Sequence, residues 1–91
     1  MISFTNDENR WANSIGHRII EERNKTSFNV KTIIEDCEAN ARDKKLSEPF
    51  RECMAHAAQF LKIAVKYDDK SILKLAQMAA YGMMYGNMYD E

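Results

Sequence analysis

Apolar residues recur at steps of three and four along most of the chain, and no stretch keeps the strict two-residue alternation of a strand. Trp11, Ile15 and Ile19 follow one another at four-residue intervals, flanked by Ala12 and Ile20, with Arg10, Arg18, Glu21 and Glu22 on the opposite face. This first helix starts near Thr5 to Asp7, because Thr5 and Glu8 have the spacing of a capping box. A polar break over residues 24–27 ends it. The second predicted helix covers residues 28–45, with Val30, Ile33, Ile34, Cys37 and Ala41 on one side and Lys44 and Lys45 at the end that favours cations.

The strongest helix start in the chain is Ser47-Glu48-Pro49-Phe50, a serine cap followed by an acid and a proline in the first turn. Phe50, Cys53, Met54, Ala57, Leu61, Ala64 and Val65 then share one broad face, which Phe60 extends. The last break is expected at residues 67–71, where Asp68 or Asp69 can cap a fourth helix over residues 71–89. With no Gly or Pro there, one bent helix from Ser47 onward is the competing reading, but it is far longer than ordinary helices. The pattern therefore predicts an all-α fold, a compact three- to four-helix bundle with short connections, formed by residues 1–91 as a single domain.

The end of the chain adds a second periodicity. Tyr81, Tyr85 and Tyr89 recur every four residues, and so do Gly82 and Gly86, and Met84 and Met88. On one continuous helix the glycines form a groove between ridges of tyrosine and methionine. Two glycines cost a helix roughly 2 kcal/mol relative to alanine, so a closely approaching neighbour is needed to offset them. That neighbour is either the first helix of the same chain, with Gly16 as the matching small residue, or another chain. Residues 75–89 carry no charge, and a terminal helix of a small bundle buries only one face. The run is shorter than the roughly 20 residues a membrane-spanning helix needs, so no membrane role is expected.

Charge narrows the classes further. The formal net charge is −1, from 13 basic and 14 acidic residues, which weighs against a general nucleic-acid binder. Lys62, Lys66, Lys70 and Lys74 form the one candidate nucleic-acid stripe, provided that the helix runs unbroken past Asp69. His17, Cys37, Cys53 and His56 equal a zinc site in number, but no paired ligand spacing occurs and both cysteines fall on apolar faces. Cys53 and His56 are three residues apart, yet a thiol on a buried face lacks the exposed, electropositive setting of a nucleophile. No metal, cofactor or catalytic group is expected. The start of the chain has neither a basic leader nor an apolar core segment, so a cytoplasmic protein with reduced cysteines is expected.

These readings converge on a small non-enzymatic protein that acts by protein–protein interaction, as an adaptor, a regulatory subunit or an inhibitor that occludes a larger complex. Its expected surface is Tyr81, Gly82, Met84, Tyr85, Gly86, Met88 and Tyr89, and its expected partner is another protein or itself. Two other readings compete: a nucleic-acid-associated regulator using the lysine stripe, and a small-ligand or nucleotide-sequestering oligomer with a pocket between subunits.

Overall fold

In the computed structural model, which describes residues 4–82, four helices and no strand form the fold: α1 (Asn6–Arg23), α2 (Lys31–Arg42), α3 (Glu48–Tyr67) and α4 (Ile72–Ala80). α3 lies between α2 and α4, and α4 also packs on α1. The consecutive helices α1 and α2 barely meet. All four contribute to one core, in which Ile15, Ile19, Ile33, Phe50, Leu61 and Leu73 are buried.

α1 begins with the expected capping box. The Thr5 hydroxyl accepts a hydrogen bond from the Glu8 backbone (3.1 Å), and the Glu8 carboxylate accepts one from the Thr5 backbone (3.0 Å). The same carboxylate reaches much farther. It also accepts from the Ser47 backbone N–H (2.7 Å) and from the Ser47 hydroxyl (2.8 Å). Ser47 is itself the N-cap of α3, with its hydroxyl accepting from the Phe50 N–H. One side chain thus holds two helix starts together, although it is only 2% exposed.

Burial is the largest single influence on the Glu8 carboxyl and raises its pKa; the hydrogen bonds from Ser47 and Thr5 together outweigh it, so the net shift is downward. Glu22, expected on the solvent face, is also buried. Its carboxylate accepts from the Asn29 backbone (2.8 Å) and pairs with Lys25 (2.6 Å). Those two bonds lower its pKa against the opposing effect of burial. Glu22 therefore pins the α1–α2 connection.

The second helix is shorter than its apolar pattern. At its start, Glu22 holds the Asn29 N–H, and the Asn29 side chain accepts from Lys31, which keeps residues 28–29 out of the helix. At its end, Asp43 turns extended (ψ 102°) and its carboxylate accepts from the Lys45 N–H. Phe28 still packs against the core from the connection.

The break at residues 67–71 is a turn, and the single long helix does not form. Asp68 takes the left-handed conformation (φ 48°, ψ 45°). Its N–H bonds to the Val65 carbonyl and the Asp69 N–H to the Ala64 carbonyl, the paired arrangement that closes many helix ends. The Asp69 carboxylate then accepts from both the backbone and the hydroxyl of Ser71. α4 ends at Ala80, well short of the expected residue 89. Gly82 has φ +73°, so the chain leaves the helical path there despite the continuing four-residue pattern.

Two predictions follow from these hydrogen bonds and turns. Because the Glu8 pKa is lower in the folded chain than its ordinary value of 4.5, the carboxylate contributes stability above pH 4.5 that is lost as pH falls through the lower, folded value. Urea titrations from pH 6 downward should show that decline, with a shallower slope in Glu8→Gln, which at neutral pH should be about 1–3 kcal/mol less stable. In contrast, Asp68→Gly should stabilise the fold by about 0.5–1 kcal/mol, read as a higher denaturation midpoint, because glycine adopts the left-handed turn without a Cβ penalty.

Candidate interaction surface

Tyr81 and Gly82 are committed to contacts within the chain. A Cβ placed on Gly16 would lie 2.2 Å from Cζ of the Tyr81 ring, so the ring of Tyr81 rests directly on the bare backbone of α1. Gly16 is thus the small residue that lets the end of α4 approach α1. A Cβ on Gly82 would lie 3.2 Å from the Phe4 ring and 3.7 Å from the Cys53 sulfur. The other residues of the tyrosine–glycine–methionine pattern, Met84, Tyr85, Gly86, Met88 and Tyr89, lie outside the described residues.

A different apolar surface is exposed. On α3, Phe60, Ile63 and Tyr67 form a stripe at steps of three and four; on α4, Ile72 and Leu75 form another. Phe60 and Ile72 are half-buried, whereas Ile63, Tyr67 and Leu75 are 39%, 65% and 40% exposed. Two polar contacts fix which way these stripes face. Lys62, on the opposite edge of α3, pairs with Glu38 of α2, so the Phe60–Ile63–Tyr67 edge is turned away from α2 and toward α4. Gln77, on the opposite edge of α4, accepts from Arg23 of α1 (2.7 Å), so the Ile72–Leu75 edge is turned toward α3. The two stripes lie on helices that pack on each other, α3 and α4. Sequence periodicity gave no hint of this surface, because Ile63 and Tyr67 stand just outside the predicted core face.

Two clefts have a partly apolar lining. Between α1 and α2 is a groove of about 330 Å³ lined by the apolar Trp11, Ile15, Ala39 and Leu46 and by the polar or charged Ser14, Arg18, Asp36, Asn40 and Asp43. Trp11 is 44% exposed there. Its ring also packs on Phe50, with centroids 6.2 Å apart. A second cleft of about 400 Å³ lies between the start of α2 and the end of α3, lined by Phe28, Ile34 and Val65. It accounts for Val65, expected in the core but more than half exposed.

The lysine stripe is divided. Lys62 and Lys66 are on α3, with Lys62 paired to Glu38 and the Lys66 ammonium 5.5 Å from the centre of the Tyr67 ring. Lys70 lies in the turn and Lys74 on α4, beyond the left-handed Asp68. The unbroken helix on which the alignment depends is absent.

The four soft ligands do not converge. Cys37 and Cys53 are free and fully buried, whereas His17 and His56 are exposed. His56 Nδ1 lies 2.7 Å from the Glu52 carbonyl. Burial pushes the Cys37 thiol up to about 12, and burial with Glu52 nearby pushes Cys53 up to about 11. Both sulfurs are therefore protonated at neutral pH and behave as small apolar side chains. Among the described residues no cluster of His, Cys, Asp and Glu could hold a metal ion, and no helix is long and apolar enough to cross a membrane.

The Gly16–Tyr81 contact predicts a change of sign. Gly16→Ala alone adds about 1 kcal/mol of helix propensity but drives a methyl into the Tyr81 ring, at an overpacking cost of about 1–3 kcal/mol, so the variant should be less stable. In a Tyr81→Ala background the same substitution should instead stabilise by about 1 kcal/mol, measured as a double-mutant cycle in urea.

Compared with known proteins, the chain matches no family model, and no curated protein or solved structure is detectably similar to it.

Proposed function

We propose that this is a non-enzymatic binding protein that associates with a second copy of itself through the α3–α4 seam, as part of a regulatory or occluding role on a larger complex. The observation that carries the reading is the exposure of Ile63 and Tyr67 on α3 and of Leu75 on α4, two helices that pack on each other, with Phe60 and Ile72 half-buried on the same stripes. Bulky apolar residues left exposed on two packed helices of so small a bundle favour an interaction site.

The choice of a second copy rests on two features. α3 and α4 follow one another through a tight turn, so their two apolar edges run antiparallel, and a two-fold rotation can lay the edge of one helix on the edge of the other. The flanks also carry both signs, with Lys66, Lys70 and Lys74 near Asp68 and Asp69. Two copies can set unlike charges against each other there, which a flank of one sign would prevent.

Sedimentation equilibrium tests the reading. The chain should dimerise, and Ile63→Glu with Leu75→Glu should return it to a monomer with unchanged helical content. Both positions are partly exposed, so the charges do not enter the core. A wild-type chain that stays monomeric up to about 1 mM, where even a weak contact populates a dimer, would remove the self-association reading.

A further inference from the structure

We propose that the groove between α1 and α2 binds an arginine side chain of a partner protein, with the guanidinium stacked on the exposed ring of Trp11 and hydrogen-bonded to Asp43. The site lies between a different pair of helices from the α3–α4 seam, so a chain that stays monomeric leaves it standing.

The groove has two unlike ends. At one, Arg18 of α1 pairs with Asp36 of α2 (2.7 Å) and donates to the Thr32 hydroxyl (3.5 Å), so the charges of Arg18 and Asp36 are already matched. Trp11 and Asp43 line the same groove, each seven residues along the chain from that pair. Seven residues make two helical turns, roughly 10 Å, and keep to one face. Trp11 and Asp43 therefore stand at the other end. Contacts with the start of α3 hold that end independently. The Leu46 N–H bonds to the Asp43 carbonyl (3.0 Å), Glu8 holds Ser47 one turn before Trp11, and the Trp11 ring packs on Phe50.

The groups left uncommitted there are an aromatic face and hydrogen-bond acceptors. Trp11 is 44% exposed. The Asp43 carboxylate accepts from the Lys45 N–H of its own turn (3.0 Å) and forms no ion pair among the described residues. Asn40 donates its amide nitrogen to the Met54 sulfur (3.7 Å), which leaves its oxygen to accept. Arg18, Asp36 and Asp43 are the charged residues of the lining, so one negative charge is unmatched. Of the nearby cations, Arg10 is paired with Asp7, and Lys44 and Lys45 are exposed in the turn.

This chemistry selects arginine. The face of an indole attracts cations. A guanidinium is planar, so it stacks on the ring while its in-plane N–H groups reach a carboxylate; a lysine ammonium has no such plane and is more strongly hydrated. The methylene stem of arginine has Ile15 and Leu46 to lie along. A volume of about 330 Å³ is at the small end of ligand sites, which suits one side chain rather than a folded segment.

Trp11 is the only tryptophan, so its indole N–H gives a single cross-peak in an NMR titration of the full chain. A capped glycine–arginine–glycine peptide should shift that cross-peak saturably, with a Kd on the order of 1 mM. The citrulline counterpart has the same shape without the charge and should bind about tenfold more weakly. Asp43→Asn should weaken the arginine peptide about tenfold while keeping its turn, because the asparagine oxygen still accepts from Lys45. The comparison of arginine with citrulline uses the unaltered chain and stands even if the variant loses its helices. Equal binding of the two peptides, or no saturable shift with either, overturns the proposal. Tighter binding of choline than of the arginine peptide assigns the groove to a small quaternary ammonium and overturns it too. So does a shift of the same size on concentrating the chain alone, which gives the groove to a second copy.

Discussion

The Glu8 carboxylate joins two helix starts that are 39 residues apart in the chain. A buried, ionised carboxylate is expensive in an apolar setting unless its oxygens are fully used. Here one oxygen accepts from the Thr5 backbone and the Ser47 hydroxyl, and the other from the Ser47 backbone. Each donor is an orphan of a helix N-terminus or its cap, so the charge and the unpaired N–H groups satisfy one another. The consequence is positional. Fixing the starts of α1 and α3 together sets Phe4 edge-on to Phe50 and brings Trp11 against the same ring. Phe50 is the largest fully buried side chain of the core. A loss of the Glu8 bonds would therefore disturb the starts of α1 and α3 and the aromatic end of the bundle together.

Such a polar clamp matters more because the core is built from small residues. Ala57, Ala64, Ala76, Ala79 and Ala80 are wholly buried along α3 and α4. Small side chains let helices approach closely, but each removes little apolar area from water. The larger apolar residues Ile63, Val65, Tyr67 and Leu75 stand at the surface instead. Close α3–α4 packing and an exposed seam are thus two results of one allocation of side chains. The alanines hold the helices near each other, and the bulky residues are left along the outer edge.

The features legible in the sequence are those set by neighbours within one turn of helix. Thr5 with Glu8, and Ser47 ahead of Pro49, could be read because capping needs only residues three apart. The turn at residues 67–71 was readable from Asp68 and Asp69, even though aspartate rather than glycine takes the left-handed position. What could not be read depends on distant partners. Nothing near Glu22 in sequence shows that the Asn29 N–H will draw it inward, or that this will shorten α2. The tyrosine–glycine periodicity left the length of α4 open for a related reason. A step of four suits a continuing helix, but it is equally compatible with a Gly82 that ends one. Only the Phe4 ring and the Cys53 sulfur beside Gly82 show which applies. Of the two neighbours that the pattern allowed, the first helix with Gly16 or another chain, Tyr81 takes the first: its ring rests on Gly16 of α1.

Tyr81 also explains why surfaces on opposite sides of the bundle can act separately. α4 has α3 on one edge and α1 on the other, and at its end Tyr81 locks onto Gly16. The Arg23–Gln77 hydrogen bond repeats that attachment farther along. With α4 fixed to α1 through its inner edge, the Ile72–Leu75 edge is free to face outward beside α3. The opposite side of α1 has no such lock. Beyond the connection that Glu22 pins, its polar contacts with α2 are those of Arg18 with Asp36 (2.7 Å) and Thr32 (3.5 Å), which are partly exposed and contribute little in water. The α1–α2 groove is therefore left open by sparse packing, whereas α3 and α4 are closed onto each other by theirs.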